Sequence, residues 1–205
     1  MLFYIINIGE IMKKFLNIFL ILFFSTSLLN AAEGEFSFGL EGGYSAVDLE
    51  SQKSAQEIAN AIGETVTVEY NTGLVVGRVF ANYGIKSNIE VEAGYFQSST
   101  FSETYKMASG SASIDYDFNG FDVSALIKDE SGFFGKAGMH SSTLNGAANV
   151  VIGGTTVNLT ASADGTGPLI GGGYETGNLR YSLTHYSDLA GVDDFTIFSI
   201  GYKFN

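Results

Sequence analysis

Apolar side chains recur at every second residue in successive stretches of this chain. In the first stretch Phe36, Phe38 and Leu40 alternate with polar or small residues. Side chains of a β-strand point alternately to its two faces, so each stretch predicts a strand with one apolar and one polar face. The last stretch, residues 196–204, has the same form and places Lys203 on the face opposite the apolar residues.

The composition indicates where such strands would be stable. The chain is 45% hydrophobic and 16% charged, with 26 Gly, 17 Phe and 11 Tyr. Beyond residue 31, no apolar run reaches the about 20 residues that a membrane-spanning helix needs. Only helices and closed barrels satisfy every backbone hydrogen bond inside hydrocarbon. We therefore predict an all-β fold, an eight-stranded antiparallel up-and-down transmembrane β-barrel in a bacterial outer membrane.

The N-terminus has the three parts of a secretory signal peptide. Met12-Lys13-Lys14 precedes an apolar run, residues 15–24, and a stretch of small residues ends at Ala31-Ala32. We predict a signal peptide over residues 1–31, with Met12 as the true start, and an outer-membrane barrel domain over residues 32–205. The alternative is an uncleaved helical anchor.

Eight alternating stretches account for the predicted strands. They lie near residues 35–44, 67–83, 89–95, 112–128, from Phe133 onward, 166–175, 179–186 and 196–204. In the fourth stretch the apolar residues change from even to odd positions, which predicts a β-bulge at Asn119-Gly120. Short turns near 84–88, 129–132 and 176–178 alternate with loops near 46–66, 97–111, 143–165 and 188–194. This asymmetry is typical of outer-membrane barrels, with the short turns and both termini on the periplasmic side.

Two of the predicted loops contain local structure signals. Ser54 to Glu57 forms a capping-box pattern and Gly63 a C-terminal stop, which predicts a short helix near residues 55–62. In the third loop, Gly153-Gly154 separates two β-branched runs and predicts a hairpin tip that extends the fifth and sixth strands above the membrane. Because long loops on a rigid scaffold often bind partners, residues 143–165 are the predicted surface for an extracellular ligand.

The C-terminal part of the chain resembles a known family. Leu179-Arg180-Tyr181 through Asp188, followed by Phe195 to Phe204, is similar to the end of OmpA/opacity-type small outer-membrane β-barrels. The resemblance implies outer-membrane lipid as the surroundings. It also implies that the aromatic end of the last strand serves as a signal to the barrel-assembly machinery. In this chain one residue, Asn205, follows that aromatic.

Charged residues on the polar strand faces would meet inside the barrel. The predicted polar network of the lumen consists of Arg78, Glu90, Glu92, Lys136, Glu175, Arg180 and Lys203. An eight-stranded barrel is narrow enough for side chains to fill it. A buried charge without a partner is costly, so we expect ion pairs that plug the lumen. The alternative is a narrow pore.

His185 and Ser187 are the candidates for chemistry. They lie two residues apart on a predicted strand, so both project toward lipid. The stretch resembles the His-x-Ser-Asn signature of outer-membrane lipid A deacylases, which implies Ser187 as nucleophile and His185 as base. Asp188 stands where that family has asparagine, its orienting glutamate has no counterpart in the last strand, and Asp194 is the only outward carboxylate nearby. We favour a polar and aromatic belt at the membrane interface.

Other functional classes lack support in the sequence. The net charge of −12 disfavours nucleic acid as a partner. The glycine-rich segments 165–167 and 171–173 lack the Lys-Ser/Thr of a phosphate loop, and the aspartate pairs at 115/117 and 193/194 lack a full ligand set, so we assign no cofactor and no metal. The predicted function is a non-enzymatic outer-membrane barrel with a structural or surface-interaction role; a lipid A-modifying hydrolase and a narrow pore are the alternatives.

Overall fold

The computed structural model describes residues 34–46, 51–70 and 73–204, and the predicted leader, residues 1–31, lies outside them. The elements are β1 Phe36–Ala46, α1 Ser51–Ile62, β2 Thr67–Tyr70, β3 Gly73–Lys86, β4 Ile89–Ser98, β5 Phe101–Met107, β6 Gly110–Lys128, β7 Phe133–Ile152, β8 Thr155–Thr176, β9 Leu179–Leu189 and β10 Asp193–Phe204.

Eight of the strands close into a ring. All neighbours are antiparallel, in the order β1, β3, β4, β6, β7, β8, β9 and β10. β1 completes the ring because it pairs with β3 on one side and with β10 on the other, so that Phe38 lies opposite both Ala81 and Phe204. This arrangement confirms the predicted eight-stranded up-and-down barrel.

The alternation of side chains separates the barrel surface from its interior. On β3, Val75 is 57% exposed whereas Arg78 is 6% exposed. Large apolar residues cover the outside of the barrel, and most buried polar residues lie inside. Closed strands with an apolar exterior satisfy the requirements of a bilayer. Within the described part of the chain, no helix is long and apolar enough to cross a membrane.

Aromatic pairs surround one end of the barrel. Phe133 packs on Tyr174, with ring centroids 4.9 Å apart, and Tyr202 packs on Phe204 at the same distance. These pairs flank the short connections of the ring, which join β3 to β4, β6 to β7 and β8 to β9. Outer-membrane barrels have such girdles where the lipid meets water. We call this end the turn end and the opposite end the sheet end.

At the sheet end part of the same ten-stranded sheet extends beyond the ring. It consists of β2, β5, residues 110–118 of β6, residues 143–152 of β7 and residues 155–166 of β8, and we call it the projecting sheet. β5 pairs with β6 from Phe101 opposite Tyr116 to Met107 opposite Gly110. β2 pairs with β5, and the three long strands continue out of the ring.

The projecting sheet corrects two sequence predictions. The predicted strand 67–83 is two strands, β2 and β3, of which β2 lies outside the ring. The predicted loop 97–111 contains β5. The predicted hairpin in residues 143–165 is confirmed, since β7 and β8 pair up to Ile152 opposite Thr155, and its tip is at Gly153 and Gly154, both with positive φ. A helix also lies near the predicted position, but it begins at Ser51, ahead of the predicted start near residue 55.

The predicted bulge at Asn119-Gly120 is absent. β6 pairs with β7 without interruption, Asn119 opposite Thr143 and Gly120 opposite Ser142. The even-numbered aromatic residue Phe118 is fully buried, whereas Phe121 is 65% exposed. The change of phase in the sequence therefore arises because the interior itself becomes apolar at this height. The strand does not shift.

Candidate functional site

The centre of the barrel interior is built around Arg78 of β3. Its guanidinium donates to Asp122 of β6 at 2.6 and 2.9 Å, to Glu92 of β4 at 2.8 Å and to Glu41 of β1 at 3.1 Å. Gly94 makes room for it, since a Cβ there would lie 2.5 Å from Arg78 Nη2. Charge-assisted bonds on all its nitrogens satisfy a cation that is removed from water.

Arg180 of β9 shares two acidic partners with Arg78. It forms ion pairs with Glu92 and, at 3.3 Å, with Glu41. Its guanidinium carbon lies 4.5 Å from the ring centroid of Phe134, within the range of a cation–π contact. Glu92 is also 3.7 Å from Lys136 Nζ, so this fully buried carboxylate has three cationic neighbours.

A second cluster lies toward the turn end. Lys128 Nζ is 2.6 Å from Glu175 and 2.9 Å from Glu90. Lys203 of the last strand is 3.3 Å from the same Glu90, which also accepts a hydrogen bond from Asn82 at 2.9 Å. These contacts join strands on opposite sides of the ring.

The formal charges of the two clusters balance. The basic members are Arg78, Lys128, Lys136, Arg180 and Lys203, and the acidic members are Glu41, Glu90, Glu92, Asp122 and Glu175. Each of the eight ring strands contributes at least one member. We call this set the charged layer. All seven residues of the sequence-derived network lie within it.

Three members of the charged layer were missing from the sequence-derived network. Glu41 was placed on the polar face of its strand but was not included, although that face carried the signal. Asp122 and Lys128 share the interior parity of β6 with Phe118. The apolar residues at the odd positions 121–127 predict both as interior, so the signal for them was also in the sequence.

Above the charged layer the interior is apolar. This second set, the apolar plug, consists of Leu74, Val76, Phe96, Phe101, Phe118, Leu169, Tyr186, Leu189, Phe195 and Ile197. The ring of Phe118 lies 6.0 Å from that of Phe96 and 5.5 Å from that of Phe195. The lumen is thus filled by ion pairs at the turn end and by packed rings at the sheet end.

His140 lies inside the barrel at the edge of the plug. Its Nε2 donates to the carbonyl oxygen of Ser187 at 2.8 Å, and its ring packs edge-on against Tyr186 at 5.4 Å. Ser142 accepts a hydrogen bond from the backbone N–H of Ala190 at 2.8 Å. The two β7 side chains therefore hold the backbone of the β9–β10 connection, a positioning role.

The candidates for chemistry, His185 and Ser187, are on the outer surface. His185 Nδ1 lies 3.0 Å from the hydroxyl of Thr196, and its Nε2 lies 3.5 Å from a carboxylate oxygen of Asp194. Both ring nitrogens thus contact β10. The strand is irregular here, since Asp188 has a φ of 56° and the pairing shifts between Asp193 and Phe195. A histidine and an aspartate meet at this site, but the base is not directed at Ser187.

Solved structures show the same architecture. OprG from Pseudomonas aeruginosa is 11% identical, with a TM-score of 0.53 over 85% of this chain and 99% of that chain. Ail of Yersinia pestis, solved with the heparin analogue sucrose octasulfate, is 11% identical, with a TM-score of 0.50 over 84% and 99%. The chain has the fold of small outer-membrane β-barrel proteins. No protein-family model matches the sequence. No curated protein matches it either.

In an outer-membrane barrel the short connections face the periplasm, so the sheet end and the projecting sheet are extracellular. The most accessible part of the projecting sheet is the far half of β8. Residues 155–164 are all exposed, and they pair with β7 on one side, whereas β9 begins to pair with β8 only at Leu169. This segment, which we call the free edge of β8, presents unpaired backbone groups to solvent.

Proposed function

We propose that the chain is a non-enzymatic outer-membrane barrel that contacts other proteins through the free edge of β8. The observation that supports this proposal is the edge itself, ten consecutive exposed residues paired on one side only. An exposed strand edge is a template for pairing with another chain. Most natural edges of this length are protected by charges, proline or bulges, and residues 155–163 contain none of these.

The chemistry of the surroundings favours a partner strand over an acidic polymer. The projecting sheet carries Glu69, Asp115, Asp117 and Asp164, Glu64 precedes it and contacts Ser109 in the β5–β6 turn, and Lys106 on β5 pairs with Glu69 at 2.7 Å. These carboxylates repel a polyanion such as the heparin analogue bound by Ail. The free edge is uncharged from residue 155 to residue 163, so a strand approaches it without like-charge repulsion.

The filled interior weighs against a narrow pore, and the direction of His185 weighs against the hydrolase alternative. Conduction needs a continuous polar path, but the apolar plug lies above the charged layer. Ester hydrolysis by Ser187 needs the His185 ring within hydrogen-bond reach of the serine, whereas both nitrogens contact β10.

A shortened hairpin tests the proposal. Ala147 lies directly opposite Thr160, so replacing residues 148–159 by Asn-Gly closes β7 onto β8 with a two-residue turn and keeps the register. The matched control is Gly153→Asn, which puts the same turn at the full-length tip. Retention of expressing cells on epithelial monolayers and their sedimentation with one another are measured.

The control is expected to match the natural chain, whereas retention and sedimentation of cells with the shortened variant are expected to fall to the level of cells that lack the protein. Equal behaviour of the shortened and full-length chains in both assays would overturn the proposal. Heat-modifiable mobility on gels verifies that each variant is folded in the outer membrane.

We also propose that export removes residues 1–31 and that β10 is the segment read by the barrel-assembly machinery. Support comes from the signal-peptide pattern and from the aromatic end of β10, where Tyr202 packs on Phe204 at 4.9 Å. The intact mass of the protein extracted from outer membranes is expected to correspond to residues 32–205. A mass that includes the leader would contradict the first part, and unchanged insertion of a Phe204→Ser variant would contradict the second.

A further inference from the structure

A small cavity of about 210 Å³ lies at the extracellular mouth of the barrel, between the base of the projecting sheet and the β9–β10 connection. We call it the mouth cavity. Its walls include Phe101, Tyr105, Tyr116, Leu144 and Phe195, and Glu103 is its charged lining residue. The cavity is distinct from the free edge of β8 and from the charged layer.

The alternation of β5 produces this arrangement. Phe101, Glu103 and Tyr105 occupy every second position of the strand, so all three side chains project to the same face, and all three are buried. Phe101 stacks on Tyr116 of the neighbouring strand, with centroids 5.3 Å apart and planes inclined by 24°. Phe195 belongs to the apolar plug, so packed side chains close the cavity on the side that faces the barrel interior.

The electrostatics of the mouth cavity favour positive charge. Glu103 is only 4% exposed and accepts a hydrogen bond from the Tyr105 hydroxyl at 2.9 Å. Burial, and then the charge of Glu103, raises the pKa of the Tyr116 phenol, so the carboxylate is close enough to this wall of the cavity to interact with it. The faces of aromatic rings are themselves negative.

We infer that the mouth cavity binds a small organic cation, an ammonium group with methyl or alkyl substituents. Aromatic walls with a carboxylate nearby suit such a group. The ring faces attract its positive charge, and its apolar substituents are buried against the same rings. A metal ion would need several oxygen ligands, and the mouth cavity supplies one carboxylate. The apolar plug below makes this a binding site without passage through the barrel.

The test compares three probes on the full chain in maltoside micelles, because phosphocholine detergents would compete for the site. Tetramethylammonium and choline are the cations, and 3,3-dimethylbutan-1-ol is the neutral counterpart of choline with the same shape. Binding is measured by NMR titration and calorimetry. Saturable 1:1 binding of both cations is expected, with the neutral probe at least about tenfold weaker.

Glu103→Gln keeps an acceptor for Tyr105 and removes the charge, and it is expected to weaken choline binding about tenfold or more. The matched control is Glu69→Gln on the adjacent β2. The Glu69 carboxylate lies outside the cavity, 2.7 Å from Lys106 Nζ. The control should bind choline like the natural chain. Equal binding of choline and its neutral counterpart, unchanged binding in Glu103→Gln, or no binding of either cation would each overturn the inference.

Discussion

Arg78 Nη2 and Asp122 Oδ1 lie 2.6 Å apart inside the barrel, although β4 separates their strands in the ring. Both side chains are almost inaccessible to solvent. The pair therefore joins β3 to β6 across the interior, beyond the backbone ladder that links neighbouring strands.

Removing one side of this pair should be costly. Asp122→Asn leaves Arg78 with Glu41 and Glu92 but makes the charged layer positive by one, so the free energy of unfolding is expected to fall by about 3 kcal/mol. Urea unfolding in lipid vesicles measures the change. The exposed pair of Lys106 and Glu69 provides the comparison, since Glu69→Gln should cost less than about 1 kcal/mol. Similar costs for the two variants would refute the role of the interior pair.

The apolar plug makes a separate prediction about conductance. Phe118→Ala removes a fully buried ring and is expected to cost about 3–5 kcal/mol. The charged layer below still fills the lumen, so single-channel recordings should show no conductance in either the natural chain or the variant. Phe121→Ala is the matched control, because it removes the same side chain from the outer face of the same strand and should cost less. Steady open-channel currents through the natural protein would support the alternative that it is a narrow pore.

A charge on the free edge of β8 should block strand addition without harming the fold. Asn158→Lys places a lysine on the edge strand, and Asn149→Lys places the same residue directly opposite, on β7, where both sides of the strand are paired. Both positions are exposed, so each change in stability should stay within about 0.5 kcal/mol. Cell contact is expected to fall for Asn158→Lys and to persist for Asn149→Lys. The opposite order would argue against the edge as the contact element.

Lipid A provides the test of the hydrolase alternative. Because His185 contacts Thr196 and Asp194, the natural chain and Ser187→Ala are expected to leave lipid A unchanged. Mass spectrometry of lipid A from cells expressing each chain measures this. If lipid A lost an acyl group in cells expressing the natural protein but not in cells expressing Ser187→Ala, Ser187 would be identified as a nucleophile.

Much of the fold follows from the alternation of side chains, since strand number, closure and the lipid-facing residues of β1, β7 and β10 agree with the structure. The errors share one physical origin. A period of two separates two faces but does not identify them, and it fails where the interior is apolar, as at Phe118. β2 was predicted as part of one strand with β3, and β5 was missed because Glu103 interrupts the apolar face that carries Phe101 and Tyr105.

Only part of the candidate site was predictable. Charge and parity indicated the members of the network, because an ionised side chain on a barrel strand has few places to lie. The mouth cavity was not foreseen, since it depends on β5 lying next to the β9–β10 connection. Long-range placement of this kind leaves no pattern within a single strand.

The balance of the charged layer has a consequence for how the barrel assembles. The strands that close the ring, β1 and β10, contribute Glu41 and Lys203, so a sheet that lacks either strand has an unequal number of positive and negative groups. A sheet that has one of these two strands without the other therefore carries a net charge in its interior, which is costly to bury. Glu41 and Lys203 complete the balance together, so the interior favours the state in which both closing strands are in place.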